Sequence, residues 1–462
     1  MLSLRRRLAL GRGDAHIALM DTDMLHQVVA AARAAGADQA EAVFAERQSL
    51  SVGVRRGALE EVEREESQDL GLRVLVGRRH ASVSGSDVSP EGRRKLVERA
   101  VAMARLAAED PYAGLPPQDQ LARGPFADLD LFDPHEPNAE QLEARALEAE
   151  AAMLAAPRVS NSNGASASWS SSAWWFVTSE GFIGEQKGTA SSLSAQAIAG
   201  EGADMEQGYD AATTRWLSDL PAPGAIGAEA GRRAAASLGA RKLESRTAAV
   251  IFENRLAGAL IGPLLGAIAG PAVARGVSFL KDKRGERLFA PGVRLRDDPH
   301  RSRGLASQPF DDEGVANRPH DIIADGVLTT WLLNTVSARQ LGLETTGHAS
   351  RGLAGPAGVS ATNLTLEPGD ADLAGLMSGV GTGLLVTSMF GPSLNANTGD
   401  WSVGCSGHWF EAGEIAYPVT EITVAGNLID IYARAIPGAD LYSRGALRIP
   451  SILVDNLAIA GK

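Results

Sequence analysis

The sequence is poor in cysteine and in positive charge for its length of 462 residues. Its single cysteine, Cys405, excludes an internal disulfide and is typical of proteins from a reducing compartment. Lysine and arginine number 44 against 56 aspartates and glutamates, which gives a net charge of −12. Proteins that bind nucleic acid or anionic lipid use clusters of basic residues. We therefore expect a cytoplasmic protein with no direct nucleic-acid partner and no membrane partner.

The sequence also lacks an apolar segment with the texture of a membrane span. Residues 256–274 carry no charge, and this run is long enough to cross a bilayer. However, Pro263 and Pro271 interrupt it, no belt of Trp or Tyr flanks it, and glycine recurs every fourth residue, at Gly258, Gly262, Gly266 and Gly270. This pattern predicts a helix buried between sheet layers, with a smooth glycine face against which another backbone packs closely.

The N-terminal end lacks the apolar core of a secretion signal. After Arg7, the apolar stretch Leu8–Leu10 is shorter than the roughly seven apolar residues that a signal peptide needs. Residues 1–21 are therefore predicted to form a disordered extension. The sequence leaves open whether residues 1–20 are translated at all.

Residues 22–108 have the pattern of a compact α+β domain. A capping Thr22 or Asp23 precedes a predicted helix that ends near Gly36 and has an apolar face of Leu25, Val28, Val29 and Ala32. Alternating apolar residues in the middle of the segment predict four or five short antiparallel strands. A second helix is predicted over Pro90–Ala108, so the order is helix, meander, helix.

Residues 109–138 are rich in Pro and Asp without periodicity, and they are predicted to be a linker or wrapping segment. Residues 139–462 predict a larger C-terminal domain of mostly antiparallel sheet with helices. An amphipathic helix over Ala139–Ala156 opens it, and serine-rich alternation predicts long strands around Trp174–Val177 and Ser191–Ile198. Further strands are predicted at Ala248–Phe252, Asp321–Leu332, Ser360–Leu366, Gly383–Met389, Ser402–Phe410, Glu414–Val424 and Ile449–Ile459. The expected fold class is α+β.

Familiar catalytic motifs are absent from the sequence: there is no P-loop, dinucleotide fingerprint or G-x-S-x-G elbow. Ser406 and His408 share one face of a predicted strand, which keeps a self-sufficient hydrolase as an alternative, whereas Cys405 points the other way as a buried free thiol. His135–Pro137 begins like a zinc-helix motif, but the proline and the lack of a second histidine exclude it. A composite metal site stays open among the scattered histidines His300, His320, His348 and His408.

Several segments together resemble one known family, the TldD/PmbA family, and within it the PmbA (TldE) branch. The resemblance extends from about residue 22 to the end and includes the helix–meander–helix start. Four segments carry it: "ENRLAGALIGPLLGAIAGPAVARGVSFL" (253–280), "DDEGVANRP" (311–319), "TNLTLEPG" (362–369) and "NTGDWSVGCSGHWFEAGEIAYPVTEITVAGNL" (397–428). No single segment is specific, but the set is.

The resemblance implies a subunit of a cytoplasmic heterodimeric zinc peptidase. In that family the TldD subunit carries a His-Glu-x-x-x-His helix and a later Cys ligand, and it cleaves unfolded or modified peptides in an enclosed chamber. In this sequence Ile261, Gly262 and Gly266 stand at the positions of the His, Glu and His, and the C-terminal segment has no cysteine. The resemblance therefore implies no catalytic residue and no metal ligand in this chain, with zinc held by a TldD-like partner.

The resemblance also places one loop near the chamber wall. Its residues, which could shape the access of extended peptides, are Asn397, Thr398, Gly399 and Asp400. The alternative is that they only make a turn. The following segment, Ser406–Ile422, is predicted to be a β-hairpin in which Trp409, Ile415 and Tyr417 face neighbouring layers. Besides the partner-subunit function, the sequence leaves open a peptide-binding or chaperone-like protein with no attached peptidase.

Overall fold

The computed structural model describes residues 14–443 and 445–462. A disordered extension was predicted over residues 1–21, and residues 1–13 of it lie outside the described residues. The first helix begins at Asp14, within the predicted extension. The first elements are α1 (Asp14–Ala34), β1 (Gln39–Arg55), β2 (Ala58–Val76), β3 (Arg79–Gly85) and α2 (Pro90–Leu106). The predicted order of helix, meander and helix is confirmed. The strand number was wrong, because β1 and β2 are long and continuous through polar residues that suggested turns.

Residues 107–138 form no helix or regular strand, but several of their apolar side chains are buried, among them Leu115, Leu129 and Leu131. The chain then forms α3 (Ala139–Leu154), β4 (Val159–Thr178), β5 (Ile183–Ala199), β6 (Glu206–Thr214) and α4 (Pro223–Ala236). The long serine-rich strands are therefore confirmed. The small, alternating side chains of β4 and β5 allow both strands to lie inside a sheet.

The strands of both segments belong to one six-stranded sheet with the order β3-β2-β1-β4-β5-β6. Strands β1 and β4 pair antiparallel from Glu41–Thr178 to Val54–Ala165. The domain boundary predicted at residue 139 therefore does not separate two sheets. Local sequence patterns carry no information on such a pairing, because its two strands are more than a hundred residues apart in the chain.

Helices α1 to α4 cover one face of this sheet. The predicted apolar face of α1 is buried there, at Leu25, Val28, Val29 and Ala32. Helix α2 buries Leu96, Val97, Ala100 and Val101 in the same cluster, while α3 and α4 pack on the other half of the sheet through Leu142, Ala146, Met153, Ile226, Ala230 and Ala234. The polar faces of these helices point to solvent, as their amphipathic periodicity requires.

The remaining residues build a second unit around another six-stranded sheet with the order β16-β15-β14-β7-β18-β17. Its elements, with the smaller ones between them, are β7 (Arg246–Phe252), α5 (Asn254–Ala267), α6 (Gly270–Ala274), β8 (Leu295–Asp297), β9 (His320–Ala324), β10 (Val327–Leu328), α7 (Thr335–Leu341), β11 (Ala349–Ser350), β12 (Gly358–Val359), β13 (Leu364–Leu366), α8 (Leu373–Val380), β14 (Gly383–Leu394), β15 (Asp400–Glu411), β16 (Glu414–Asn427), α9 (Leu428–Arg434), β17 (Ile436–Pro437) and β18 (Ile452–Ala460). Pairing is antiparallel except between β7 and β14. The expected α+β class is confirmed.

The predicted hairpin forms from β15 and β16, which pair at Glu411–Glu414 across a tight turn. Trp409 is buried, and Tyr417 packs against the main core. Ile415 does not: 48% of its surface is exposed, so its expected inward orientation was wrong. A register shift between Trp409 and Phe410 pairs Phe410 with Ile415, and it places Ile415 at the outer end of the hairpin.

Among the described residues, no helix is both long enough and apolar enough to cross a membrane. The uncharged run found in the sequence is divided between α5 and α6, which are separated at Ile268 and Ala269. The run is therefore helical, as predicted, but it forms two helices instead of one. The first of them, α5, carries the motif positions.

Candidate functional site

Helix α5 is the element on which the family resemblance places a metal motif. It follows β7 directly, and Glu253 at its N-cap receives two hydrogen bonds from Arg233 of α4, at 3.0 and 2.7 Å. One face is buried in the main core and consists of Ala257, Leu260, Ile261, Leu264 and Ala267. The bidentate ion pair and this apolar face fix both the start and the rotation of the helix.

The structure separates the three motif positions. Ile261 has 1% of its surface exposed and points into the core. Gly262 and Gly266 lie on the exposed side of the same helix, one turn apart. The structure thus brings Gly262 and Gly266 together on the exposed side, while Ile261, about 100° around the helix from Gly262, is turned into the core.

The glycine face is packed only at its ends. A Cβ atom added to Gly258 would meet Leu447 Cδ1 at 3.1 Å, and one added to Gly270 would meet Ser337 Oγ at 2.4 Å. At Gly262 and Gly266 such an atom would meet nothing within 4 Å. The expectation that another backbone packs along the whole glycine row was wrong: the middle of this row, defined here as the open glycine face, is exposed.

The open glycine face does not fit a zinc ion. Zinc in proteins is held by thiolate, imidazole or carboxylate groups, and glycine side chains supply none of these. Residues 256–274 contain no His, Cys, Asp or Glu. Within residues 14–443 and 445–462, no three His, Cys, Asp or Glu side chains come together in a way that could hold a metal ion. No step of a metal-dependent reaction can therefore be built on this helix.

Three of the four histidines considered for a composite site have hydrogen-bond partners for their side chains. His348 is buried and its ring nitrogens contact Asp297 Oδ2 at 2.9 Å and Thr346 Oγ1 at 2.8 Å. The ring of His320 lies tilted against it, with the ring centroids 5.2 Å apart. Its Nε2 is buried without a hydrogen-bond partner among the described residues, and burial lowers the pKa of His320. The other two each bond to a single neutral group, His300 to Asn317 at 2.8 Å and His408 to the carbonyl of Ala236 at 3.2 Å. Among the described residues the four side chains thus do not come together in a group that could hold a metal ion.

The geometry of a serine or cysteine hydrolase is not assembled either. Ser406 Oγ lies 3.0 Å from Thr420 Oγ1, and His408 bonds to the carbonyl of Ala236. Neither side chain therefore activates the other. Cys405 is fully buried, as predicted, and burial raises the pKa of its thiol to about 12. A thiol with such a pKa is not a nucleophile at neutral pH.

The loop Asn395–Asp400 closes the β14–β15 hairpin. Asp400 accepts hydrogen bonds from Thr398 Oγ1 at 2.7 Å and from Asn427 Nδ2 at 3.0 Å, and these bonds lower the pKa of its carboxyl group. Gly399 has φ of 82°, a conformation that favours glycine, and its backbone packs on Phe279. Asp400 and Gly399 thus make the turn, while the side chain of Asn397 is exposed and takes no part in it.

Sequence inspection missed Asp440, which anchors the start of α5. Its carboxylate accepts hydrogen bonds from Ser451 N at 2.9 Å, from Ser451 Oγ at 2.7 Å and from Asn254 Nδ2 at 3.3 Å. It thereby fixes the C-terminal loop, residues 438–443 and 445–451, beside the helix. No local pattern marks this aspartate, because Asn254 precedes it by 186 residues.

The zinc content of the purified chain tests whether it can hold a metal without the ligands of the motif. We expect the purified chain, dialysed against a mild chelator, to hold no stoichiometric zinc, because an apolar helix cannot replace the missing ligands. Elemental analysis measures this, with a His-Glu-x-x-x-His homologue treated in parallel as the positive control. A content of about one zinc per chain that resists chelation would contradict the prediction.

Comparison with known proteins gives matches along nearly the whole chain. Residues 40–104 match PmbA/TldA metallopeptidase domain 1, residues 132–238 match the central domain, and residues 245–461 match the C-terminal domain of the same family. The chain is 39% identical over 427 residues to the metalloprotease PmbA of Escherichia coli O157:H7, covering 92% of this chain and 93% of that protein. It is 34% identical to the PmbA homologue of Haemophilus influenzae, covering 91% and 92%.

Solved structures show the same fold. A Bacteroides thetaiotaomicron protein described as a candidate modulator of DNA gyrase has a TM-score of 0.89 and 27% identity, over 96% of this chain and 99% of that one. TldE from Thermococcus kodakarensis has a TM-score of 0.85 over 95% and 100%. Its identity of 19% supports similarity of fold alone.

Proposed function

Because the chain belongs to the PmbA/TldD metallopeptidase family, we propose that it is a non-catalytic, TldE-like subunit of a heterodimeric zinc peptidase. Its partner is a homologue that carries the His-Glu-x-x-x-His helix and the zinc. Together the two chains enclose a chamber in which unfolded or modified peptides are cleaved. The single buried thiol and the acidic charge of this chain favour a cytoplasmic location.

The observation that carries the proposal is the open glycine face of α5. The helix is held in place by Arg233, Asp440 and its buried apolar side, yet its exposed side offers no atom that could bind a metal or a proton. A peptidase that activates water needs a Lewis acid and a general base. A chain that keeps the scaffold of such a site without these groups is suited to complete a chamber and not to perform the chemistry.

Strand β14 supports the handling of extended peptides. It pairs with β7 only through Gly383–Val386, and in the described part of the chain its second half pairs with β15 alone. Residues 390–394 of this half are exposed. An unpaired strand edge binds extended chains through backbone hydrogen bonds and tolerates many side chains. This tolerance suits a peptidase that acts on unfolded peptides.

Asn397 tests whether the hairpin loop shapes peptide access. In a complex reconstituted with the metal-bearing homologue, Asn397→Ala is expected to lower peptide cleavage severalfold, since its exposed amide is free to contact a peptide backbone. Its melting temperature is expected to stay unchanged because the side chain takes no part in the turn. Initial rates and thermal melts measure the two effects.

Asp400→Ala is the matched control, because Asp400 holds the turn through Thr398 and Asn427. We expect it to lower cleavage and thermal stability together. If Asn397→Ala cleaves at the wild-type rate, the loop makes a turn and has no role in access.

Assembly tests the partner role itself. We propose that the partner docks on the C-terminal unit, whose exposed large apolar side chains include Val277, Phe390, Leu394, Ile436 and Leu447. Obligate interfaces commonly bury more than about 2,000 Å² and resemble a cut core. Co-expression with a His-Glu-x-x-x-His homologue should give a stable heterodimer by size-exclusion chromatography with light scattering. Two separate monomers at micromolar concentration would contradict the proposal.

A further inference from the structure

Arg301 is a half-buried cation whose hydrogen bonds go to neutral groups. Its Nη1 donates to the carbonyl of Ala446 at 3.3 Å, and its Nη2 donates to the carbonyl of Asn363 at 3.3 Å and to Thr365 Oγ1 at 2.7 Å. These bonds tie it to the C-terminal loop and to β13. They satisfy donors with neutral groups, and among the described residues the guanidinium forms no direct ion pair.

Arg448 lies beside Arg301, on the C-terminal loop that also carries Ala446. Its backbone is held by β13, since its N–H donates to Leu364 O at 2.8 Å and its carbonyl accepts from Leu366 N at 3.0 Å. Its side-chain Nε is buried and has no hydrogen-bond partner. Arg448 forms no ion pair with any residue that the structure describes, so a second cation without a direct ion-pair partner stands next to Arg301.

The carboxylates near this arginine pair, Arg301 and Arg448, act on Arg301 through their charge but form no direct ion pair with it. Asp297 is buried against His348 and Thr362, and Asp298 accepts the backbone N–H of His300 at 2.9 Å. Burial and the positive charge of Arg448 lower the pKa of Arg301, and the negative charges of Asp298 and Asp297 offset this only in part. Two like charges side by side in a half-buried position cost free energy, and a bound anion would offset more of that cost.

The position of the arginine pair connects it with α5. Leu447 lies between Arg448 and Ala446, whose carbonyl accepts a hydrogen bond from Arg301. The side chain of Leu447 packs on Gly258, at one end of the glycine row. The loop that carries Arg448 thus borders the open glycine face. Under the proposed function, this face belongs to the chamber that receives peptides.

We infer that Arg301 and Arg448 form a carboxylate-binding site for peptides at the border of the open glycine face. Guanidinium groups match the planar carboxylate and bind it with two parallel hydrogen bonds. The carboxylate comes from the C-terminus of a peptide or from an Asp or Glu side chain. The inference rests on the proposed function only for the identity of the ligand as a peptide.

Peptide binding to the isolated full-length chain tests the site without a partner. Three fluorescently labelled peptides of one Gly/Ser-rich sequence serve as probes: one with a free C-terminus, one amidated, and one amidated with an internal Glu. Fluorescence anisotropy measures binding to the wild type, to Arg448→Gln and to the control Arg284→Gln. Arg284 is exposed on a turn and makes no ion pair with the described residues, so its replacement changes the net charge equally.

We expect the amidated peptide without Glu to bind at least tenfold more weakly than a peptide with a carboxylate, and the other two probes show whether a C-terminal or side-chain carboxylate is preferred. Arg448→Gln should abolish this difference, Arg448→Lys should restore part of it, and Arg284→Gln should leave it intact. The melting temperature of ligand-free Arg448→Gln should equal or exceed that of the wild type, since a like-charge contact is removed. Equal binding of all probes, or an unchanged difference in Arg448→Gln, overturns the inference, while a heterodimer that forms and cleaves peptides would leave the proposed function standing.

Discussion

Glu41→Gln is expected to lower the free energy of unfolding by about 3–5 kcal/mol, the usual cost of removing one partner from a buried ion pair. Glu41 is fully buried in β1, and its Oε1 accepts from Arg73 Nη1 at 3.3 Å and also from Arg351 Nη1. The side chains of Arg73 and Arg351 are 3% and 8% exposed. The substitution leaves both cations buried without this carboxylate, which joins the first sheet to the segment after β11. Urea unfolding followed by circular dichroism measures the loss.

The matched control is Glu60→Gln on β2. Glu60 pairs with Arg55 at 3.8 Å, but its side chain is 57% exposed, and exposed pairs contribute about 0–1 kcal/mol. Similar losses for both variants, or a loss of less than about 1 kcal/mol for Glu41→Gln, would show that the buried cluster does not hold the two parts of the chain together.

Gly262→Leu is expected to leave the isolated chain folded while it impairs the complex. No atom lies within 4 Å of the added Cβ, and replacing a glycine inside a helix gains up to about 1 kcal/mol. In the complex, the new side chain projects into the proposed chamber. We expect peptide cleavage to fall about tenfold or more, because displacing a substrate by about 1 Å is enough for such a loss. Melting temperatures and initial cleavage rates give the two results.

Two further glycines serve as controls for this experiment. Gly379 in α8 also has no neighbour within 4 Å, so Gly379→Leu should likewise not lower stability and should leave cleavage unchanged. Gly270→Leu should unfold or strongly destabilise the chain, because its Cβ would stand 2.4 Å from Ser337 Oγ. If Gly262→Leu cleaves peptides like the wild type, the open glycine face does not line the chamber.

The sequence was sufficient to predict α5, because the uncharged run and its glycine spacing leave few other structures. It was not sufficient to predict which glycines are packed. Gly258 and Gly270 are covered by Leu447 and Ser337, residues that lie far away in the chain, whereas nothing covers Gly262 or Gly266. A glycine row therefore indicates close packing or an open surface equally well, and only the tertiary neighbours distinguish them.

The same limit explains the domain boundary and the arginine pair. Local periodicity correctly indicated the strands around Trp174 and Ser191, but the pairing of β1 with β4 depends on contacts across the predicted boundary. Neither Arg301 nor Arg448 belongs to a motif that marks it in the sequence. Their proximity, and the lack of a direct ion pair to either among the described residues, became visible only in the folded chain.

Peptide cleavage by reconstituted mixtures tests most directly whether this chain is a required but non-catalytic subunit. A fluorogenic unfolded peptide is offered to the chain alone, to its His-Glu-x-x-x-His homologue alone, and to the purified complex, and the zinc content of each sample is measured. We expect no cleavage by the chain alone, little or none by the homologue alone, and full activity of the complex. Zinc is expected in the homologue and in the complex but not in the chain alone. Zinc-dependent cleavage by this chain alone, or equal activity of the homologue with and without it, would contradict the proposed function.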